Sequence, residues 1–210
     1  MKKLIQGIIQ FRETKRQDLA DTFSTLALGQ KPDALFIACS DSRVAVNIFA
    51  STDPGDLFVL RNVGNLVPPS GHSEGTGTAA AIDFAVENLR VKNIIVCGHS
   101  DCGAIHALRQ GHHTLPQGPL KTWLELGATN ESLEVDASED SRRNVLAQIE
   151  HLKTYPNIQR AMLERHLGLH AIWFDIRHLD VFYFEQDPHR WTLLDAEQGE
   201  RILAQLDPSF

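Results

Sequence analysis

The chain has only three cysteines, Cys39, Cys97 and Cys102, and only two tyrosines and two methionines among its 210 residues. An odd, widely spaced set of thiols is not the even framework of a secreted disulfide scaffold, and a reducing cytoplasm is the expected compartment. No uninterrupted apolar run approaches the ~18 residues of a spanning helix, so no membrane partner is expected. The amino-terminal stretch "MKKLIQGIIQFRE" has glutamines and Arg12 where a signal peptide would carry its apolar core, and no small-residue cleavage site follows. No basic run exceeds a doublet and the net charge is −7, which argues against an electrostatic grip on nucleic acid or an anionic bilayer. There is no internal repeat and no low-complexity segment. The expected partners are small molecules or other proteins.

What is present reads as one α/β domain over residues 1–210, a length that can bury a sizeable core, with residues 1–30 as a helical arm. "LIQGIIQF" and "LADTFSTLAL" carry apolar residues at helical spacing, and Gly29 and Pro32 end the pattern. "ALFIAC", "DLFVLRN" and "VKNIIVCGHS" are short apolar runs bounded by turn signals, as parallel strands buried on both faces would be. The third is expected to end at Cys97 or Gly98. Between them lie the loop "VPPSGHSEGTGT" and a helix in "AAAIDFAVENLR". "DCGAIHALRQ" reads as a helix with Asp101 near its favourable N-terminus, "HHTLPQGP" as loop, and "SRRNVLAQIEHLKTY" as a polar-faced helix. The late runs "HAIWFDI", "DVFYFEQ" and "RWTLLD" have strand propensity, and their short connections suggest antiparallel pairing. The expected fold is thus a mostly parallel sheet flanked by helices, with an antiparallel edge.

Ligands of open α/β sheets bind beyond the carboxyl ends of strands, so Cys39 after one strand can meet His99 and Cys102 after another. Two thiolates and an imidazole suit zinc, and three protein ligands would leave its fourth position open for chemistry. Spacing alone leaves buried, inert cysteines as an equal alternative. Cys97, inside "IIVCGH", reads as core. "GHSDC" falls short of a nucleophile elbow because Cys102 stands where the last glycine belongs. The glycines of "GTGTAA" lack dinucleotide spacing and do not directly follow a strand.

"CSDSR" (Cys39, Asp41, Arg43) together with "GHSDCGA" (His99, Cys102) resembles the two zinc motifs of the β-class carbonic anhydrases. "RNVGNLVPP" and "EGTGTAAAIDFAV" are similar to the stretch between those motifs. The resemblance is strong from about Gln30 to Leu108 and weaker through "LKTYP" and the late strands. It implies one zinc ion per subunit on Cys39, His99 and Cys102, and reversible hydration of carbon dioxide to bicarbonate by zinc-bound hydroxide. It further implies that Asp41 pairs with Arg43 and accepts a hydrogen bond from that hydroxide, becoming a fourth metal ligand only in a closed state. Gln30 matches a glutamine that reaches the substrate of the neighbouring subunit, and Phe58 and Val63 match apolar walls of the carbon dioxide pocket. The family's N-terminal helices embrace a second subunit, which implies a homodimer or tetramer.

Some departures narrow the resemblance. Phe84 stands where some members carry a tyrosine, which leaves proton export unassigned, with His72 a loop candidate. Phe36, Ala38 and Phe174 stand where an allosteric branch carries the tryptophan, glycine and tyrosine that hold an inhibitory bicarbonate, so the resemblance is to the non-allosteric, plant-like branch. Hydrolysis of carbonyl sulfide or carbon disulfide on the same scaffold, and a non-enzymatic zinc-stabilised protein, are the alternative functions.

Overall fold

Strand β1 (Ala34–Cys39) is buried along its whole length, and its alternating side chains feed two different cores. Leu35 and Ile37 join one apolar cluster, Phe36 and Ala38 the other. That is the period-two division expected of a strand covered on both faces. The computed structural model describes residues 1–111, 114–127 and 136–205. They fall into two compact units, Met1–Lys31 and Pro32–Phe210.

The first unit contains helices α1 (Lys2–Thr14) and α2 (Ala20–Leu26), and none of the residues of either helix is buried. The second unit is built on a six-stranded sheet in the order β2-β1-β3-β4-β5-β6. Its strands are β1, β2 (Leu57–Asn62), β3 (Asn93–His99), β4 (Gly168–Asp175), β5 (Asp180–Glu185) and β6 (Arg190–Leu193). The first four run parallel, and β5 and β6 are antiparallel additions. Thus the strand of "HAIWFDI", β4, is antiparallel only to β5; its other edge lies parallel to β3. The chain leaves β1 for β2 on one side and later returns to β3 on the other. The switch in direction therefore lies between β1 and β3, where the carboxyl ends of an open sheet leave a crevice.

Helices α3 (Val46–Phe49), α4 (Gly77–Asp83), α5 (Gly103–Arg109), α6 (Pro119–Gly127), α7 (Ala137–Leu152), α8 (Pro156–Arg165) and α9 (Ala196–Gln205) complete the described unit. The expected helix over 79–90 is α4 followed by a π-helical turn at Phe84–Leu89, closed by Arg90 in a left-handed conformation. The third strand continues past Cys97 and Gly98 to His99, because parallel pairing of His99 with Phe174 carries the ladder beyond the apolar run. Asp101 is not in the first turn of α5. It has a φ of 52° in the turn before the helix, which bends the chain between His99 and Cys102. Of the expected loop 112–119, His112 and His113 lie outside the described residues.

Helix α7 packs directly over β3. A Cβ at Gly98 would lie 2.4 Å from a methyl of Val145 and 3.3 Å from the carbonyl oxygen of Ser141, so only glycine permits that approach. The polar face of this helix is partly turned inward, with Asp140, Ser141, Asn144 and Gln148 buried. Buried polar groups of this kind persist only where each finds a partner.

Candidate metal centre

The switch point brings together the three expected ligands. Cys39 ends β1, His99 ends β3, and Cys102 immediately precedes α5. Their donor atoms all lie within 4.8 Å of one another, the two sulfurs 4.0 Å apart. All three residues are buried. Burial of two thiols and an imidazole with so little room between them requires a compensating charge or proton arrangement.

Each candidate ligand is oriented by its surroundings. The carbonyl oxygen of Ser100 lies 2.8 Å from His99 Nδ1 and can only accept, so Nδ1 carries the proton and Nε2 presents its lone pair. That Nε2 is buried without a hydrogen-bond partner. The amide N–H of Gly64 donates to Cys39 Sγ at 3.4 Å. The neighbouring Cys102 thiol first, and then the backbone amides of Asp41 and Gly64, draw the Cys39 thiol down against the opposing cost of burial. Cys102 is pushed up, first by donating to Cys39 and then by burial. At 4.0 Å the two sulfurs are close enough to share one proton. A thiolate, a second thiol and an unpartnered imidazole nitrogen fit a dication that displaces that shared proton, and the donor set is that of zinc.

Asp41 stands on the turn after β1. Arg43 Nε donates to its Oδ1 at 2.9 Å, Arg43 Nη2 to its Oδ2 at 2.8 Å, and the Arg43 backbone N–H to Oδ1 at 3.0 Å. These bonds, the side-chain ones first, hold the Asp41 carboxyl well below the usual carboxylate range. Arg43 Nη2 also donates to the carbonyl of Asp101, tying the β1 turn to the turn that carries Cys102. An ion pair with side-chain exposures of 47% and 18% contributes at most about 1 kcal/mol to folding. Stability is therefore a poor reason for so fully specified a carboxylate.

The remaining candidates are less closely gathered. Val63 is exposed and lines an open hollow of about 380 Å³ with Ser40, Arg61, Asn62 and Trp123, whose indole N–H donates to the Val63 carbonyl at 2.8 Å. Phe58 packs against the main apolar cluster, its ring 5.8 Å from that of the exposed Phe84. His72 is exposed on a short 3-10 turn, Ser70–His72. Gln30 belongs to the N-terminal unit and is exposed there. Cys97 faces the other core, beside Phe36, Ala38 and Phe174, and burial pushes its thiol up. Phe49 stacks on Phe174 at 4.6 Å, so that region is filled by aromatic carbon.

Sequence reasoning missed the backbone and long-side-chain supports of the centre. Arg61 donates to the carbonyls of both Cys39 (3.0 Å) and Asp41 (2.6 Å). Gly64 adopts φ +83°, and a Cβ there would meet Ala104 Cβ at 2.9 Å. The only advance signal was the glycine between Val63 and Asn65 in "RNVGNLV", a residue type used where backbone approaches closely.

Comparison with known proteins agrees with this geometry. The carbonic anhydrase family model matches residues 34–181. A carbonic anhydrase of Pseudomonas aeruginosa is 40% identical over 186 residues, covering 84% of each chain. The solved β-carbonic anhydrase CcaA superposes with a TM-score of 0.84 at 33% identity, covering 93% of this chain and 92% of its own. One of two tetrameric β-carbonic anhydrases from Sordaria macrospora gives 0.72 at 32% identity, covering 87% and 95%. Matched from Ala34 through Val181 and alike in fold over nearly its whole length, this chain belongs to the β-carbonic anhydrase family.

Proposed function

We propose that this protein interconverts carbon dioxide and bicarbonate, with Cys39, His99 and Cys102 holding one zinc ion per subunit. The observation that carries this reading is the convergence of the three buried donors within 4.8 Å on an unpartnered His99 Nε2. When bound, zinc supplies a Lewis acid that lowers the pKa of a water ligand from about 15.7 to about 7, a magnitude established for carbonic anhydrases with three histidine ligands and taken over here.

The chain's own groups supply the rest. Asp41, kept ionised by Arg43, is the acceptor that orients the oxygen attacking carbon, and its fork of N–H bonds restrains it from swinging onto the metal. Loss of that fork would free Asp41 to become a fourth ligand and close the site. Carbon dioxide takes up hydroxide to give bicarbonate, and the proton left from water passes to buffer. Val63, on the hollow beside Ser40, offers an apolar wall for a linear, uncharged substrate. Gln30 donates from a neighbouring subunit.

A homodimer or tetramer accords with the exposed Leu4, Ile5, Ile8 and Phe11 of α1, too many apolar side chains to leave in water. Phe36, Ala38 and Phe174 give a buried bicarbonate no hydrogen-bond partner, which favours the unregulated form. Three free cysteines accord with a cytoplasmic setting, and among the described residues no helix is long and apolar enough to cross a membrane. The test is stopped-flow hydration of carbon dioxide run beside hydrolysis of carbonyl sulfide on zinc-replete protein. Faster turnover of carbon dioxide is expected; faster turnover of carbonyl sulfide overturns the substrate assignment.

A further inference from the structure

Several inward-facing polar residues of α7 hold backbone groups of the strand end and turn beside it. Ser141 Oγ donates to the His99 carbonyl at 2.8 Å and accepts from Trp173 Nε1 at 3.1 Å. Asn144 Nδ2 donates to the Gly64 carbonyl at 3.2 Å. Gln148 Oε1 accepts from the Val67 N–H at 2.8 Å, and its Nε2 donates to Asn144 Oδ1 at 3.0 Å. His151 Nδ1 donates to the Val67 carbonyl at 2.7 Å, and Tyr155, just past the helix, donates from its hydroxyl to the Pro68 carbonyl at 2.8 Å. The alternating three- and four-residue spacing places these groups in one stripe. From Asn144 onward, the stripe reads the backbone of a single segment, residues 64–68.

Asn144 differs from the others in what lies beyond it. It holds the carbonyl of Gly64, the residue whose own N–H donates to Cys39 Sγ. Gly64 is in the left-handed region and pressed against Ala104; its N–H belongs to the peptide whose Val63 carbonyl accepts from Trp123, and its carbonyl to the next peptide, held by Asn144, so side chains rather than a regular ladder fix both. Asn144 is itself fixed, since Gln148 occupies its oxygen and leaves the amide nitrogen directed at Gly64. Hydrogen bonds to ligand sulfur withdraw electron density from it, and such partners of ligands tune metal sites.

We propose that Asn144 is a positioning residue for the metal centre: by holding the Gly64 carbonyl it keeps the Gly64 N–H on Cys39 Sγ and so sets the donor strength of that thiolate. The inference rests on Cys39 being a zinc ligand. A purely structural role would cost stability alone, as loss of the Tyr155 hydroxyl would, four residues further along the same segment.

Cobalt-substituted protein separates the two, because a sulfur relieved of its N–H bond becomes a stronger donor and its thiolate-to-metal charge-transfer band moves to longer wavelength. Asn144→Ala, and Asn144→Ser should the alanine variant not fold, are expected to shift that band and, because the turn behind Cys39 is no longer held in place, to weaken zinc binding by about tenfold in chelator competition although the sulfur itself donates more strongly. Tyr155→Phe should lower Tm and leave band and affinity as in wild type. An unchanged band and affinity in a folded Asn144 variant, or an equal shift in Tyr155→Phe, overturns the proposal. Failure of wild-type protein to take up about one zinc or cobalt per chain would instead overturn the assignment of Cys39, and the proposal with it.

Discussion

Two arginine–carboxylate pairs in this protein use the same chemistry to opposite ends. At the carboxyl edge of β1, Asp41 is held by a single residue two positions away, on the same turn, and stays partly open to solvent. At the far edge of the sheet, Glu185 at the end of β5 is buried and accepts from Thr192 and Arg190 of β6 and, through both oxygens, from Arg201 of α9. The second carboxylate is saturated by three side chains from two other elements, so it ties α9 to the terminal hairpin. The first has a fixed orientation and a free face. A local, exposed pair adds little to folding and leaves one face of its carboxylate to solvent; a distributed, buried pair leaves none, and removing one of its partners is costly.

Cys39→Ser is the largest perturbation, and it acts only on the site edge. With three protein ligands and none to spare, zinc content should fall from about one per chain to near zero, hydration should vanish, and Tm should drop because metal binding contributes to folding. Atomic absorption showing about one zinc per chain would contradict the ligand assignment.

Glu185→Gln should act on the other edge. Its Tm near neutral pH should fall by on the order of 5–10 °C with turnover per zinc unchanged. The folded carboxyl is depressed from 4.5 to about 2, chiefly by the Arg201 bonds. Its contribution is therefore present above pH 4.5 and lost as pH falls toward 2. Wild type should lose more stability than Glu185→Gln across that interval in pH-resolved thermal melts, and parallel curves would contradict the role given to Glu185.

Cys97→Ala should do least. Its side chain lies in the apolar cluster on the other face of the sheet, so zinc content and turnover should match wild type, with a modest fall in Tm from the small void. Loss of zinc in this variant would mean that the wrong thiol had been assigned.

The parts of this arrangement that could be read in advance are those written in side chains with one plausible use. β1 and β3 were legible because strands covered on both faces leave unbroken apolar runs, and Cys39, His99 and Cys102 because soft donors at strand ends are conspicuous. The reach of β3 to His99 was not, since a polar residue breaks the apolar signal while the ladder continues. α6, α8 and α9 were missed; in α9 Ile202 is buried among mostly exposed or partly exposed neighbours, a thin pattern to read. The polar face of α7 resembled a solvated surface, because nothing in "SRRNVLAQ" distinguishes a side chain bonded to water from one bonded to Gly64 or Val67. Gly64's amide had no signature at all, as every residue except proline carries one.

The most direct test of a carboxylate aimed at the metal-bound oxygen is Asp41→Asn measured beside wild type, with zinc content and stopped-flow carbon dioxide hydration read on the same preparations. The asparagine keeps the size of the side chain but loses the charge that Arg43 clasps and replaces one acceptor oxygen by a donor. Full zinc occupancy is expected, with hydration slowed by about 10²–10⁴. A zinc-replete variant turning over at the wild-type rate would contradict the role of Asp41.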